Sequence, residues 1–86
     1  MYSIKFTRRG EKDFKKLASK IRRRINKKLI YYTSLKSPLI PARPLVHLPP
    51  ATHRYRIGKY RLSFFIKGKT IYIERIEIRN KAYRQK

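Results

Sequence analysis

The sequence predicts an α+β fold in two layers: an N-terminal strand, a two-helix hairpin, then a three- to four-stranded antiparallel meander. Three patterns carry this expectation. Tyr2, Ile4 and Phe6 alternate with Ser3, Lys5 and Thr7, the period of a strand with one buried face. Phe14, Leu17, Ala18 and Ile21 then recur at helical spacing, and Ile25, Leu29 and Tyr32 prolong the stripe. Further on, Gly58-Lys59 and Gly68-Lys69 separate three strand-like runs, His53 to Ile57, Tyr60 to Lys67 and Thr70 to Ile78, which reads as two consecutive hairpins.

Residues 8–34 read as two packed helices with Ser19 capping the second, or as one long kinked helix. Every proline, Pro38, Pro41, Pro44, Pro49 and Pro50, falls within residues 38–50, where fixed φ and missing N–H donors prevent a regular helix or central strand. That segment is expected to be an extended connector, with a short strand at Leu45 to Leu48. In the last strand the parity slips, because Ile71 and Ile73 share one phase and Ile76 and Ile78 the other, and a bulge near Glu74 reconciles them. No internal repeat is present, and 86 residues suffice for one modest core, so residues 1–86 are expected to form a single domain.

Cysteine is absent, so burial of Ile, Leu, Tyr and Phe has to hold the fold without disulfides or thiolate metal sites, as expected of a reducing, cytoplasmic setting. No apolar run approaches bilayer length, and Met1 to Thr7 alternates like a strand, not like a secretory leader. The dominant feature is charge. Twenty-five Lys and Arg against Glu11, Asp13, Glu74 and Glu77 give +21, a self-repulsion that a polyanion would relieve. Nucleic acid fits such a field through counterion release, and an acidic protein would fit as well. A membrane surface fits less well, because the basic residues are not gathered on one amphipathic helix.

With a two-residue turn at Gly58-Lys59, Arg56 lies opposite Arg61 and Arg54 sits two residues along on the same face. Tyr55, Ile57, Tyr60, Leu62, Phe64 and Ile66 then occupy the other face, under the helices, so the arginines point outward. Like charges across a ladder are unfavourable unless an anion bridges them, and phosphate is the natural bridge. His53 adjoins Arg54 and Lys59 sits in the turn, so both are read as RNA contacts, with Arg22, Arg23 and Lys27 of the second helix adding electrostatic attraction. His47 and His53 flank Pro49-Pro50 without metal-ligand spacing or a neighbouring carboxylate, so no metal is expected. Tyr31 and Tyr32 are expected to pack in the core and at its rim.

The run Arg54-Tyr55-Arg56-Ile57-Gly58-Lys59-Tyr60-Arg61, the first strand, the basic helices and a terminal Arg79-x-x-x-Tyr83 together resemble the RelE/ParE toxin superfamily of type II toxin–antitoxin systems, in its RelE-like branch. The pattern Arg-x-Arg-(Val/Ile)-Gly-x-Tyr-Arg is met at every site from 54 to 61. The resemblance implies a ribosome-dependent mRNA endoribonuclease in which a ribose 2′-OH attacks the adjacent phosphate without metal or cofactor. By the same resemblance Arg54, Arg56, Arg61, Arg79 and Tyr83 are the catalytic set, with mRNA, the ribosome and a cognate antitoxin as partners. Two departures bear on mechanism. Arginine stands at 54 and 56 where lysine is frequent, and Ile78 stands where many relatives carry a histidine before the terminal arginine, so the resemblance supplies no general base. A ParE-like gyrase inhibitor and a non-catalytic RNA- or ribosome-binding domain are the alternatives.

Overall fold

The computed structural model describes residues 1–46 and 48–78. Strand β1 (Ser3–Phe6) leads into helices α1 (Arg8–Lys15) and α2 (Ser19–Thr33), and then β2 (Arg43–Pro44), β3 (His53–Ile57), β4 (Tyr60–Lys67) and β5 (Thr70–Ile78) follow. They form one five-stranded sheet in the order β1-β5-β4-β3-β2. The meander β2 to β5 is antiparallel throughout, whereas β1 joins the far edge parallel to β5, with Ile4 beside Ile71 and Phe6 beside Ile73. Gly58 and Gly68 enter the two turns with φ of 61° and 63°, a backbone region that glycine occupies without steric cost.

The helical segment is two helices. Thr7, in extended conformation, caps α1 by accepting the Gly10 N–H at 3.1 Å. At the other end Arg22 donates through Nη1 to the Leu17 carbonyl at 2.7 Å and the Lys15 carbonyl at 3.4 Å, satisfying oxygens that α1 leaves without helical partners. The cap of α2 is Ala18 and not Ser19: the link from α1 reaches Ala18 in extended conformation, so Ser19 is already the first helical residue. The buried part of the stripe is its second half. Ile25, Leu29 and Tyr32 are core residues, while Phe14, Leu17 and Ile21 are only partly buried against it.

The core lies between α2 and one sheet face, built from Tyr55, Ile57, Leu62, Phe64, Ile71, Ile73 and Ile76. Tyr60 and Ile66 share that face at its margin. Tyr31 stays exposed beside buried Tyr32, matching the expected division between rim and core. Four rings run through the molecule: Tyr32 lies 4.4 Å from Tyr55, Tyr55 stacks at 4.3 Å on Phe64, and His53 stacks at 5.9 Å beyond. The buried Tyr55 hydroxyl donates to the carbonyl of buried Pro38 at 2.7 Å, which ties the connector to the sheet. Removing it in Tyr55→Phe leaves that oxygen sealed and unpaired, and is expected to cost about 1–3 kcal/mol in a urea denaturation series. Burial, and secondarily Tyr32, raises the Tyr55 pKa, and burial raises that of Tyr32. The unfolded chain therefore loses these protons first. Stability should be complete below about pH 10, decline as pH rises beyond it, and decline less steeply in Tyr55→Phe.

The short edge strand is Arg43–Pro44, not the expected Leu45 to Leu48. Arg43 pairs with Arg54 and Pro44 with His53, so the chain has to reverse between the Leu45 N–H, bonded to the Thr52 carbonyl at 2.9 Å, and β3 itself. The reversal consumes the residues assigned to a strand, and the loop closes with the Thr52 N–H on the Phe64 carbonyl at 2.9 Å.

The bulge falls where parity demands it. Ser63 pairs with Arg75 but Phe64 with Ile73, leaving Glu74 as the extra residue. Past Phe6, β1 no longer covers the edge of β5, and α1 takes its place: Thr7 N–H reaches the Ile73 carbonyl at 3.0 Å, and Asp13 Oδ2 accepts the Ile76 N–H at 2.9 Å. A helix of eight mainly polar residues is marginal alone, so this docking is what holds it.

Candidate nucleic-acid interface

Ladder register sorts the outward side chains into rows on the sheet face that α2 does not cover. One row crosses four strands as Arg43, Arg54, Ser63 and Arg75, and the next crosses three as Arg56, Arg61 and Glu77. Arg54, Arg56 and Arg61 thus meet as the sequence predicted, and the pairing adds Arg43 and Arg75 to the same face. Strand pairing sets the spacing between neighbours at about 4.5–5.5 Å, so a phosphate entering here lies within reach of guanidinium groups from several strands. Arg24 of α2 reaches the turn end of the patch, where a side chain added at Gly58 would lie 3.3 Å from its Nη2, and exposed Lys59 completes that end.

Negative charge at the site is sparse and placed. Glu77 pairs with Arg61 in the ladder and its Oε2 stands 3.7 Å from Arg75 Nη1, while Arg75 Nε stands 3.5 Å from Asp13 Oδ2. Arg75 is therefore held between Glu77 and Asp13 of α1. Beside it a cleft of about 140 Å³ opens, lined by Arg9, Leu48, Pro49, Ser63, Glu74 and Arg75.

Other expected contacts are distributed differently. His53 does not share the face of Arg54: paired with Phe64, it lies on the core-side face with Tyr55, its ring lies on Phe64, and Nδ1 is 2.9 Å from Thr52 Oγ1. The two-residue strand period sends it to the face opposite Arg54. Arg22 is engaged on the Lys15 and Leu17 carbonyls, whereas Arg23 and Lys27 are exposed on α2, in the layer away from the arginine rows. Arg79, Tyr83 and His47 lie outside the described residues. Among the described residues no group of three His, Cys, Asp or Glu is arranged to hold a metal ion, and no helix is long and apolar enough to cross a membrane.

Arg43, Arg75 and Glu77 were not singled out from sequence. The last two follow from the bulge, since shifting the phase at Glu74 turns 75 and 77 outward, but Arg43 sits among prolines without periodicity and is placed only by pairing.

The family model for the ParE toxin of type II toxin–antitoxin systems matches residues 4–83. The chain belongs to the ParE toxin family. Solved structures agree with the assignment to the RelE/ParE superfamily. The RelBE2 toxin–antitoxin complex of Mycobacterium tuberculosis is similar at 29% identity over 91% of this chain and 98% of that one, with a TM-score of 0.76. The isolated RelE toxin of E. coli matches at 25% identity, 94% and 87% coverage and a TM-score of 0.71. The chromosomal ParDE system of P. aeruginosa, at 20% identity, 93% and 98% coverage and a TM-score of 0.70, shares the fold. No curated protein sequence matches the chain. This ParE-family chain is thus a toxin of a type II toxin–antitoxin system, with two helices and a five-stranded mixed sheet.

Proposed function

We propose that this toxin acts in the cytoplasm as a ribosome-dependent endoribonuclease that cleaves mRNA by attack of a ribose 2′-OH on the adjacent phosphate. The observation that carries the reading is the row Arg56, Arg61 and Glu77 on the sheet face that α2 does not cover, two guanidiniums in line with a carboxylate. Arg54, Arg56 and Arg61 stabilise the charge that grows on the phosphate oxygens, a contribution that depends on preorganised donors. Glu77 takes the 2′-OH proton as the 2′-oxygen bonds to phosphorus. The bond to the 5′-oxygen then breaks and that oxygen takes a proton from solvent water, leaving a 2′,3′-cyclic phosphate and a 5′-hydroxyl. Arg79 neutralises the leaving oxygen and Tyr83 stacks on the substrate nucleotide, roles carried over by resemblance to RelE-like toxins. The nucleophile is the RNA's own hydroxyl, so the scheme calls for no metal or cofactor. A cognate antitoxin is the expected protein partner, as the similar RelBE2 and RelBE structures are toxin–antitoxin complexes.

The test is induced expression in a bacterial host with mapping of mRNA 5′ ends, comparing the wild type with Arg61→Ala. Growth arrest with cuts inside translated frames, both lost in the variant, is expected. Arrest without cuts, accompanied by inhibited supercoiling by gyrase, would move the assignment to the second reading, a gyrase inhibitor, which the match to the ParE family model favours. Absence of arrest would leave a non-catalytic RNA-binding domain.

A further inference from the structure

The outward face continues beyond the arginine rows toward the β4–β5 turn, and its chemistry changes there. Phe65 pairs with Tyr72, which pairs in turn with Lys5, and the next row is Lys67, Thr70 and Ser3. The two rings stack at 5.2 Å with planes 17° apart, and both are only partly buried. Lys5 and Lys67 are exposed beside them, and neither row contains a carboxylate. Phe65 lies four residue steps along β4 from Arg61, about 13 Å along the strand. Cross-strand aromatic pairs stabilise sheets by themselves, but that role does not require lysines on both flanks of the pair.

Aromatic rings flanked by cations, on the same sheet face as the arginine rows, suit single-stranded nucleic acid: any base offers a π-face to the rings while the backbone follows the cations. We propose that Phe65 and Tyr72 form a second nucleotide subsite that stacks an unpaired base of single-stranded RNA, with Lys5 and Lys67 on its phosphates. The inference rests on the ribonuclease reading and gives that site a substrate path: a strand held at the aromatic pair runs along β4 and β5 to the arginine rows. Such a path positions RNA without reading its sequence.

The experiment is fluorescence-anisotropy titration of the full chain with a labelled oligoribonucleotide made uncleavable by 2′-O-methylation, and with an abasic oligomer of equal length. Phe65→Leu and Tyr72→Leu keep an apolar, strand-compatible side chain, and circular dichroism checks that they fold. Each is expected to weaken RNA binding about 5- to 150-fold, with the salt dependence of log Kd unchanged. Lys5→Ala and Lys67→Ala should each reduce that slope by about 1. The abasic oligomer should bind the wild type weakly and be indifferent to both leucine variants. Wild-type affinity for RNA in the leucine variants would overturn the subsite. Equal binding of the abasic and base-bearing oligomers to the wild type would also overturn it, and that comparison needs no variant. A wild-type chain that binds neither oligomer would likewise overturn the subsite, while the ribonuclease reading, which depends on the ribosome, is tested apart from it by the mRNA cuts in cells.

Discussion

Glu77→Gln is expected to slow single-turnover cleavage of ribosome-bound mRNA about 10²–10⁴-fold, the usual worth of a positioned general base. The substitution keeps shape and removes the proton acceptor. Folding should be almost unaffected, because the Glu77 ion pair with Arg75 is solvent-accessible on both sides, at 52% and 40% exposure, and contributes at most about 1 kcal/mol. Glu77→Asp should restore part of the rate, since the acceptor is kept but drawn back from the row. Arg61→Ala should cost about 10²–10³-fold by removing a donor to the developing oxyanion. An unchanged rate in Glu77→Gln together with a collapsed rate in Arg61→Ala would reassign the proton to water and leave the arginines as the only catalytic groups. A melting temperature that fell in step with the rate would remove both assignments.

Gly10→Ala is expected to be among the most destabilising single-methyl changes in this chain. A Cβ at Gly10 would run into the carbonyl oxygen of Ile73 and come within 3.0 Å of its carbon, and both belong to the backbone of a central strand that cannot step aside. Overpacking of this kind costs about 1–3 kcal/mol, or roughly 4–8 °C of melting temperature per kcal/mol in a domain of this size. The harm extends past the contact. Gly10 lies in the helix that caps the bare edge of β5, and pushing that helix away also separates Asp13 from the Ile76 N–H and from Arg75. Activity of the surviving folded fraction should therefore fall as well. Gly68→Ala is the control: nothing lies within 4 Å of its Cβ, so its cost is confined to the positive φ, about 1–2 kcal/mol. Equal melting temperatures for Gly10→Ala and the wild type would mean that α1 does not dock against β5 at this distance.

The hairpins were legible because glycine at two turns and strict alternation between them leave one register, and that register alone sets Arg56 opposite Arg61. The bulge at Glu74 was legible for a related reason, since Ile73 and Ile76 are both buried and no unbroken strand puts residues of opposite parity on one face. The face of His53 was not legible from its neighbour Arg54, because adjacency in sequence is not adjacency on a sheet, where the neighbour of an outward arginine points inward. The carbonyl contacts of Arg22 were not legible because a charged residue on an exposed helix face carries no mark of the acceptors it finds at the end of the preceding helix.

Local pattern by itself determined the type of the long elements, the buried face of β3 and β4, and the outward arginine patch, because these depend on periods of two and 3.6 residues and on turn chemistry close in the chain. Tertiary structure alone decided what depends on contacts between distant segments. The parallel placement of β1 on β5, the covering of β5 by α1, and the arrival of Arg43 beside Arg54 join residues far apart in sequence. No local periodicity encodes such pairings. They are settled by which arrangement satisfies the remaining edge N–H groups and buries the remaining apolar surface at once.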